Sequence, residues 1–210
     1  MSLEKSGLTI TFYSRFVKNG IDRIVSGIML IVLSPLFLLI SIWVKLDSKG
    51  PVFFRQIRIG KNSEPFTIYK FRTMRIDAPN IATSEFENPE DFITKSGKIL
   101  RKTSLDELPQ LLNVFKGEMS FIGPRPLIPS EKMVLNLRTK NGSDKILPGI
   151  TGLAQVRGRD EVSNSEKALI DGLYSKKISF KVDTKILLKT VFDVTQGRGI
   201  HEGKKGDSSK

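Results

Sequence analysis

The sequence predicts an α+β fold: an N-terminal apolar helix broken at its centre, one small β-hairpin and several amphipathic helices. Three observations predict it. Residues 24–44 read IVSGIMLIVLSPLFLLISIWV, a 21-residue run without a charge. Residues 52–71 carry β-branched and aromatic side chains on both sides of the turn Gly60-Lys61-Asn62-Ser63. Most later segments space their apolar residues at helical intervals.

Taken in order, residues 1–19 form a short polar or amphipathic lead-in. The apolar run that follows would reach roughly 30 Å as a helix, the thickness of a bilayer's hydrocarbon core. It is too long and starts too late for a cleaved signal peptide. Ser34-Pro35 stands at its centre. Pro35 lacks an N–H and its ring crowds the carbonyl of Ile31, so the helix is interrupted there. The Ser34 hydroxyl is placed to bond back to the preceding turn. Two readings stay open: a kinked membrane span, or a helix that re-enters on the side it left. Lys5, Arg15, Lys18 and Arg23 before the run and Lys45, Lys49, Arg55, Arg58 and Lys61 after it would place both flanks on the cytoplasmic face. The chain thus divides into a membrane-associated part (1–49), a cytoplasmic body at the membrane surface (50–196) and a disordered Gly/Lys/Ser-rich tail (197–210).

Within the body, Val52–Phe54, Gln56–Ile59 and Phe66–Phe71 are expected as the hairpin. Residues 75–96, with Pro79, Asn80, Asn88 and Pro89, are expected as a surface loop. Helices are expected over 96–102, 105–116, 129–140 (Met133, Val134 and Leu137 on one face), 164–177 (Ala168, Leu169, Leu173) and 182–195 (Ile186, Leu187, Val191, Val194). Basic amphipathic helices either pack on the core or lie on a membrane surface.

Composition narrows the chemistry. The 210 residues carry 34 Lys+Arg against 22 Asp+Glu, a formal charge of +12, so anionic partners are expected: nucleic acid, acidic lipids or phosphorylated small molecules. Cysteine is absent and the one histidine, His201, lies in the tail. The first excludes thiolate zinc sites and Cys nucleophiles, and the second argues against a Ser-His-Asp triad or a His-ligated metal. If the chain is an enzyme, its working groups are carboxylates, Lys/Arg and hydroxyls, and a metal among them would be a hard one held by oxygen ligands.

Three stretches concentrate such groups. In Ser104-Leu105-Asp106-Glu107-Leu108-Pro109-Gln110, Ser104 and Glu107 have the spacing of a helix capping box. Capping does not require Asp106, which sits between leucines that must face something apolar. The chemical alternative is a carboxylate nucleophile beside a metal ligand. In Gly123-Pro124-Arg125-Pro126, the flanking prolines present the Arg125 fork on a stiff backbone, for phosphate or merely at a rigid turn. In residues 147–159 (LPGITGLAQVRGR), glycines with Arg157 and Arg159 make either an anion-binding loop or consecutive turns. Lys70 and Arg72 on the hairpin are further phosphate candidates, or a solvated strand edge.

Together these stretches resemble one family, the bacterial sugar transferases or monotopic phosphoglycosyl transferases. The similarity runs from about Ile21 to Thr195: the apolar run with Ser34-Pro35, Gly50-Pro51-Val52 through Gly60, YKFRTM at 69–74, SLDELPQLLNVFKGEMSFIGPRP at 104–126, LPGITGLAQVRGR at 147–159, and Asp171 with Tyr174 before Asp183. The resemblance implies transfer of a sugar-1-phosphate from a UDP-sugar to polyprenyl (undecaprenyl) phosphate, with release of UMP, as the first membrane step of surface-glycan synthesis. It implies Asp106 as the nucleophile of a covalent phosphosugar intermediate, Glu107 as the Mg2+ ligand, and Lys70, Arg125 and Asp171 in or around the site. It also implies a re-entrant helix with both ends cytoplasmic, at the inner membrane and among anionic lipids. A membrane-anchored nucleic-acid module would account for +12, but stacking aromatics are sparse and no nucleic-acid motif is present. A metal-dependent lipid phosphatase is the other alternative.

Overall fold

A computed structural model describes residues 13–79, 89–158 and 163–196. The lead-in before Tyr13, the tail from residue 197 with His201, residues 80–88 of the expected loop, and Arg159 lie outside the described residues.

After a short π-helical turn, Tyr13–Val17, the apolar run forms two helices, α1 (Lys18–Val32) and α2 (Ser34–Asp47), bent by 64° at Leu33. Among the described residues no single helix is long and apolar enough to cross a membrane; the bent pair is, by length and composition. The break has the anticipated cause. Pro35 falls in the first turn of α2, where its missing N–H costs nothing. The Ser34 hydroxyl donates to Ile31 O at 2.8 Å, satisfying the carbonyl that the proline ring frees. Ile24, Ile28, Ile31, Val32, Leu38, Leu39 and Leu46 project outward, so much of the bend's apolar surface is not covered by the other described residues.

The opposite face of α2 docks on the body. Ile40 and Val44 bury against Phe71 and Leu100, with Leu36, Phe37, Val52, Phe53, Leu105 and Leu108 around them. Strands β1 (Phe53–Ile59) and β2 (Pro65–Phe71) form the antiparallel hairpin, pairing Phe53 with Phe71 and Ile59 with Pro65. Helix α3 (Lys95–Lys102) is capped by Thr94, whose hydroxyl accepts from Gly97 N at 3.0 Å. Asp47, the last residue of α2, accepts from both Ser96 N and Ser96 Oγ at 2.8 Å. That clasp ties the end of the apolar bend to the start of α3.

Residues 105–116 divide into a 3-10 segment, Leu105–Gln110, and α4 (Leu111–Lys116), because Pro109 cannot sit beyond the first turn of a regular helix. Strands β3 (Ser120–Ile122) and β4 (Gly149–Thr151) pair in parallel. Two-glycine contacts make this pairing possible: a Cβ on Gly149 would lie 2.1 Å from Gly123 N, and one on Gly152 would lie 2.0 Å from Gly123 O. Helices α5 (Lys132–Asn141), α6 (Leu153–Gly158), α7 (Asn164–Ser175) and α8 (Phe180–Thr195) complete the body.

The expected apolar faces split. Val134, Ala168 and Ile186 enter the core, whereas Met133, Leu169, Leu173, Leu187 and Val191 point outward. Adjacent positions on a helix lie about 100° apart, so Met133-Val134, Ala168-Leu169 and Ile186-Leu187 cannot share one buried face. Helices α7 and α8 consequently carry apolar residues on both sides.

Candidate active site

The site is built where β2 meets the 3-10 turn. Leu105 and Leu108 insert into the cluster formed by α2, β2 and α3, which holds the intervening Asp106-Glu107 against the hairpin. Ser104 starts the turn with φ 57° and ψ 16°, a left-handed backbone that a non-glycine residue adopts at a cost. Its side chain makes no capping bond. The capping-box reading of this segment therefore fails. In the left-handed region Ser104 cannot aim its hydroxyl at the N–H groups that an extended N-cap residue reaches.

Glu107 turns to the hairpin instead. Lys70 Nζ donates to Glu107 Oε1 at 2.6 Å and stands 4.0 Å from Asp106 Oδ2. Asp106 is 8% exposed. Burial pushes its carboxyl up to about 6, with Glu107 adding to the rise and Lys70 and Arg101 opposing it. At neutral pH such a carboxylate keeps its charge yet is more basic than an exposed aspartate. A raised pKa with the charge retained suits a nucleophile.

Two further arginines belong to this neighbourhood, and neither was anticipated from the sequence as a site residue. Arg101, on α3, donates from Nε to Thr73 Oγ1 at 2.9 Å and acts electrostatically on Asp106. Arg58, on β1, donates to Pro126 O at 3.2 Å. Burial first, then the charge of Arg125, lowers the Arg58 guanidinium to about 10, while Glu131 and Glu107 oppose that fall. Arg58 and Arg125 are therefore close enough to repel, an arrangement that an anion between them would relieve. Their separation in sequence is long, so only the fold brings them together.

The remaining expected residues take distinct places. Arg125 is exposed, and its carbonyl accepts from Arg138 Nη1 at 2.8 Å. Arg138 is in turn held by Asp171, with Nη2 and Nε at 2.6 and 2.9 Å from the same carboxylate oxygen. Asp171 is 1% exposed; burial pushes its carboxyl up while Arg138 pulls it down. It is thus a buried support for the Pro124–Pro126 segment, one residue removed from the exposed arginine. Arg72 is not a solvated strand-edge cation. Its Nη2 donates to Ser48 O at 2.7 Å, Ser48 Oγ at 2.8 Å and Val44 O at 3.3 Å, and its Nη1 to Lys49 O at 2.9 Å. One acceptor is in the last turn of α2 and the others are in the two residues that follow it, so the fold uses Arg72 to close the end of the apolar bend rather than presenting it to a phosphate. Arg157 is exposed at the end of α6. Gly149 and Gly152 pack β4 and the residue after it against Gly123, so their role is close backbone approach rather than an open anion loop.

For a metal, Asp106 and Glu107 supply adjacent carboxylates. Among the described residues no group of three or more acidic or histidine side chains gathers. That donor set fits a Mg2+ bound by one or two carboxylates and completed by water and substrate phosphate.

Residues 13–197 match the family described as bacterial sugar transferase. Among the similar proteins, an uncharacterized sugar transferase of Bacillus subtilis, EpsL, is 43% identical over 162 residues, covering 76% of this chain and 77% of its own length. The exopolysaccharide production protein ExoY of Rhizobium meliloti is 37% identical over 203 residues, 87% of each chain. The UDP-glucose:undecaprenyl-phosphate glucose-1-phosphate transferase of Klebsiella pneumoniae is 42% identical over 178 residues; they make up 81% of this chain but 38% of that longer protein.

Proposed function

The chain belongs to the bacterial sugar transferase family and is a phosphoglycosyl transferase; from that premise we propose that it transfers a sugar-1-phosphate from a UDP-sugar to undecaprenyl phosphate through a covalent intermediate on Asp106. Similar proteins named as undecaprenyl-phosphate glucose-1-phosphate transferases support the general reaction. The observation that carries the intermediate is local. Asp106 is buried, raised to about 6, and left 4.0 Å from a lysine whose close contact is spent on Glu107.

In the first step an Asp106 carboxylate oxygen attacks the sugar-bearing phosphorus. The P–O bond to UMP breaks, its electron pair leaves on the UMP oxygen, and an acyl-phosphate joins Asp106 to the phosphosugar. In the second step an oxygen of undecaprenyl phosphate attacks that phosphorus. The acyl-phosphate bond breaks and Asp106 regains its carboxylate. Lys70, Arg101, Arg58 and Arg125 make the potential more positive at a site that must admit a diphosphate beside two carboxylates. Glu107, with Asp106 beside it, would hold Mg2+, which when bound neutralises phosphate oxygens. Arg138 and Asp171 position the Arg125 segment from behind.

A cytoplasmic nucleotide sugar and a lipid phosphate meet only at the membrane surface. We therefore read the 64° bend as a re-entrant helix that holds the body at the cytoplasmic face of the inner membrane. The outward residues of α7 and α8, Leu169, Leu173, Leu187, Leu188, Val191 and Phe192, suit contact with lipid. UMP release from a panel of UDP-sugars in the presence of undecaprenyl phosphate tests the reaction. Turnover with at least one of them is expected; release that never depends on the acceptor would contradict it.

A further inference from the structure

A second basic cleft lies away from Asp106, where the start of the apolar bend meets the hairpin turn. It has a volume of about 210 Å3 and is lined by Asn19 and Arg23 of α1, Lys61 of the turn, Val114 and Gly117 at the end of α4, Met119 and Leu147. Lys70 lies five residues along β2 from Pro65, so roughly 17 Å of strand separates the turn from the site above. The cleft is smaller than the ~300–1,000 Å3 of a drug-sized ligand site and suits a single small group.

The residues identify that group. Asn19 and Arg23 are four apart and share one face of α1. Among the described residues neither Arg23 nor Lys61 has an ion-pair partner. The acids beside Arg23 and Gly117 in the chain are engaged elsewhere: Asp22 accepts from Ser120 Oγ at 2.5 Å, and Glu118 accepts from Asn113 Nδ2 at 2.7 Å. Glu64, which closes the Lys61 turn, makes no ion pair with Lys61 among the described residues. Two cations without ion-pair partners around a small cleft call for an anion. The Arg23 position is also prepared. Gly117 has φ +82°, and a Cβ there would stand 2.0 Å from Arg23 Nη2, so the glycine clears the space in which the guanidinium lies. Opposite, Lys61 is followed by Asn62 and Ser63, both with positive φ, a strained turn that holds the lysine at the cleft.

Depth selects among anions. Arg23 immediately precedes the uncharged run, and Ile24, Val25, Ile28 and Phe115 beside the cleft are exposed. The cleft therefore opens at the level where an apolar surface gives way to charge, the level of lipid phosphates. We propose that Asn19, Arg23 and Lys61 bind the phosphate of an anionic glycerophospholipid, a fixed lipid contact apart from the transfer site. This assignment rests on the bend lying in the membrane.

The test uses the full chain in nanodiscs of phosphatidylcholine with or without phosphatidylglycerol, and counts lipids retained on release by native mass spectrometry. Phosphatidylglycerol retained by the parent chain should fall about fivefold in Arg23→Gln or Lys61→Gln and roughly 25-fold in the pair, as one cation at a lipid surface implies. Gly117→Ala, which changes no charge, should lose it as Arg23→Gln does, and the charge-matched Lys140→Gln/Lys145→Gln should not. A parallel titration with inorganic phosphate separates the sources. Saturable phosphate binding lost in the pair, without lipid retention, would keep the anion site and assign it to a soluble phosphate. Retention and phosphate binding both unchanged in the pair would overturn the proposal while leaving the membrane reading intact. If the parent chain fails to associate even with neutral nanodiscs, the membrane reading falls and the lipid assignment with it.

Discussion

Two buried acid–base clusters divide the work of this molecule, and they differ in how completely their charges are answered. At the base of α1, Asp183 receives Lys18 Nζ at 2.7 Å, Tyr174 OH at 2.7 Å and Tyr13 OH at 3.0 Å. Both of its oxygens are bonded, and the cluster ties the apolar bend to α7 and α8. At the hairpin, Lys70 contacts Glu107 at 2.6 Å and leaves Asp106 at 4.0 Å. A satisfied buried carboxylate is structure; an under-satisfied one is held reactive at a cost in stability. The same residue types, at similar burial, serve opposite purposes because of how many donors converge.

The largest effects should separate the clusters most cleanly. Asp106→Asn is expected to lower UMP release by about 10³-fold or more, the scale of losing a covalent nucleophile. Its melting temperature should hold or rise, since a strained charge is removed. Asp183→Asn should do the reverse. Lys18 would lose its 2.7 Å partner and keep only Asp22 at 4.0 Å; breaking a buried pair costs up to about 3–5 kcal/mol, so thermal unfolding of the solubilised chain should shift downward while the activity of the folded fraction persists. A stability loss in Asp106→Asn equal to that in Asp183→Asn would erase the distinction.

Lys70→Met sharpens it further. Activity should fall about 100-fold, as for loss of one electrostatic stabiliser, and the pH profile should move in a defined direction. In the parent chain the carboxylate is the reactive form and titrates near 6. kcat/KM should therefore fall as pH drops through 6, about tenfold per unit below it. Lys70 holds that value down, so its removal should move the acid limb to higher pH. A limb that stays in place would mean Lys70 does not act on Asp106. The smallest effect is expected from Ser104→Gly. Relief of a left-handed non-glycine backbone should stabilise the fold by about 1 kcal/mol, measurable as a higher melting temperature.

Much of this was legible in the sequence wherever the physics was local. The break at Ser34-Pro35 follows from one missing N–H and one hydroxyl, and the hairpin from its turn residues and alternation. The apolar residues around Asp106 announced that something must cover them, and α2 does. What stayed hidden was set by distant partners. Glu107 looked like a cap because Ser104 stands three residues before it; the left-handed Ser104 backbone and Lys70 redirect it. Arg72 looked like a phosphate ligand until the end of α2 arrived beside it. Arg58 and Arg101 gave no local sign of the site, because it is tertiary packing that brings them to it. The parallel pairing of β3 with β4 joins three-residue strands far apart in sequence, too short for any periodicity to reveal.

The central claim, that Asp106 is left reactive in order to carry the phosphosugar, has one direct measurement. The full chain is incubated with a turned-over UDP-sugar and Mg2+ but no undecaprenyl phosphate, quenched, and weighed as intact protein and as peptides. The account predicts one equivalent of UMP released and a mass gain of one sugar phosphate. That adduct should map to the peptide holding Asp106, be removed by hydroxylamine, and be absent from Asp106→Asn. Acceptor-dependent turnover with no adduct at Asp106, or an adduct that persists in Asp106→Asn, would contradict it.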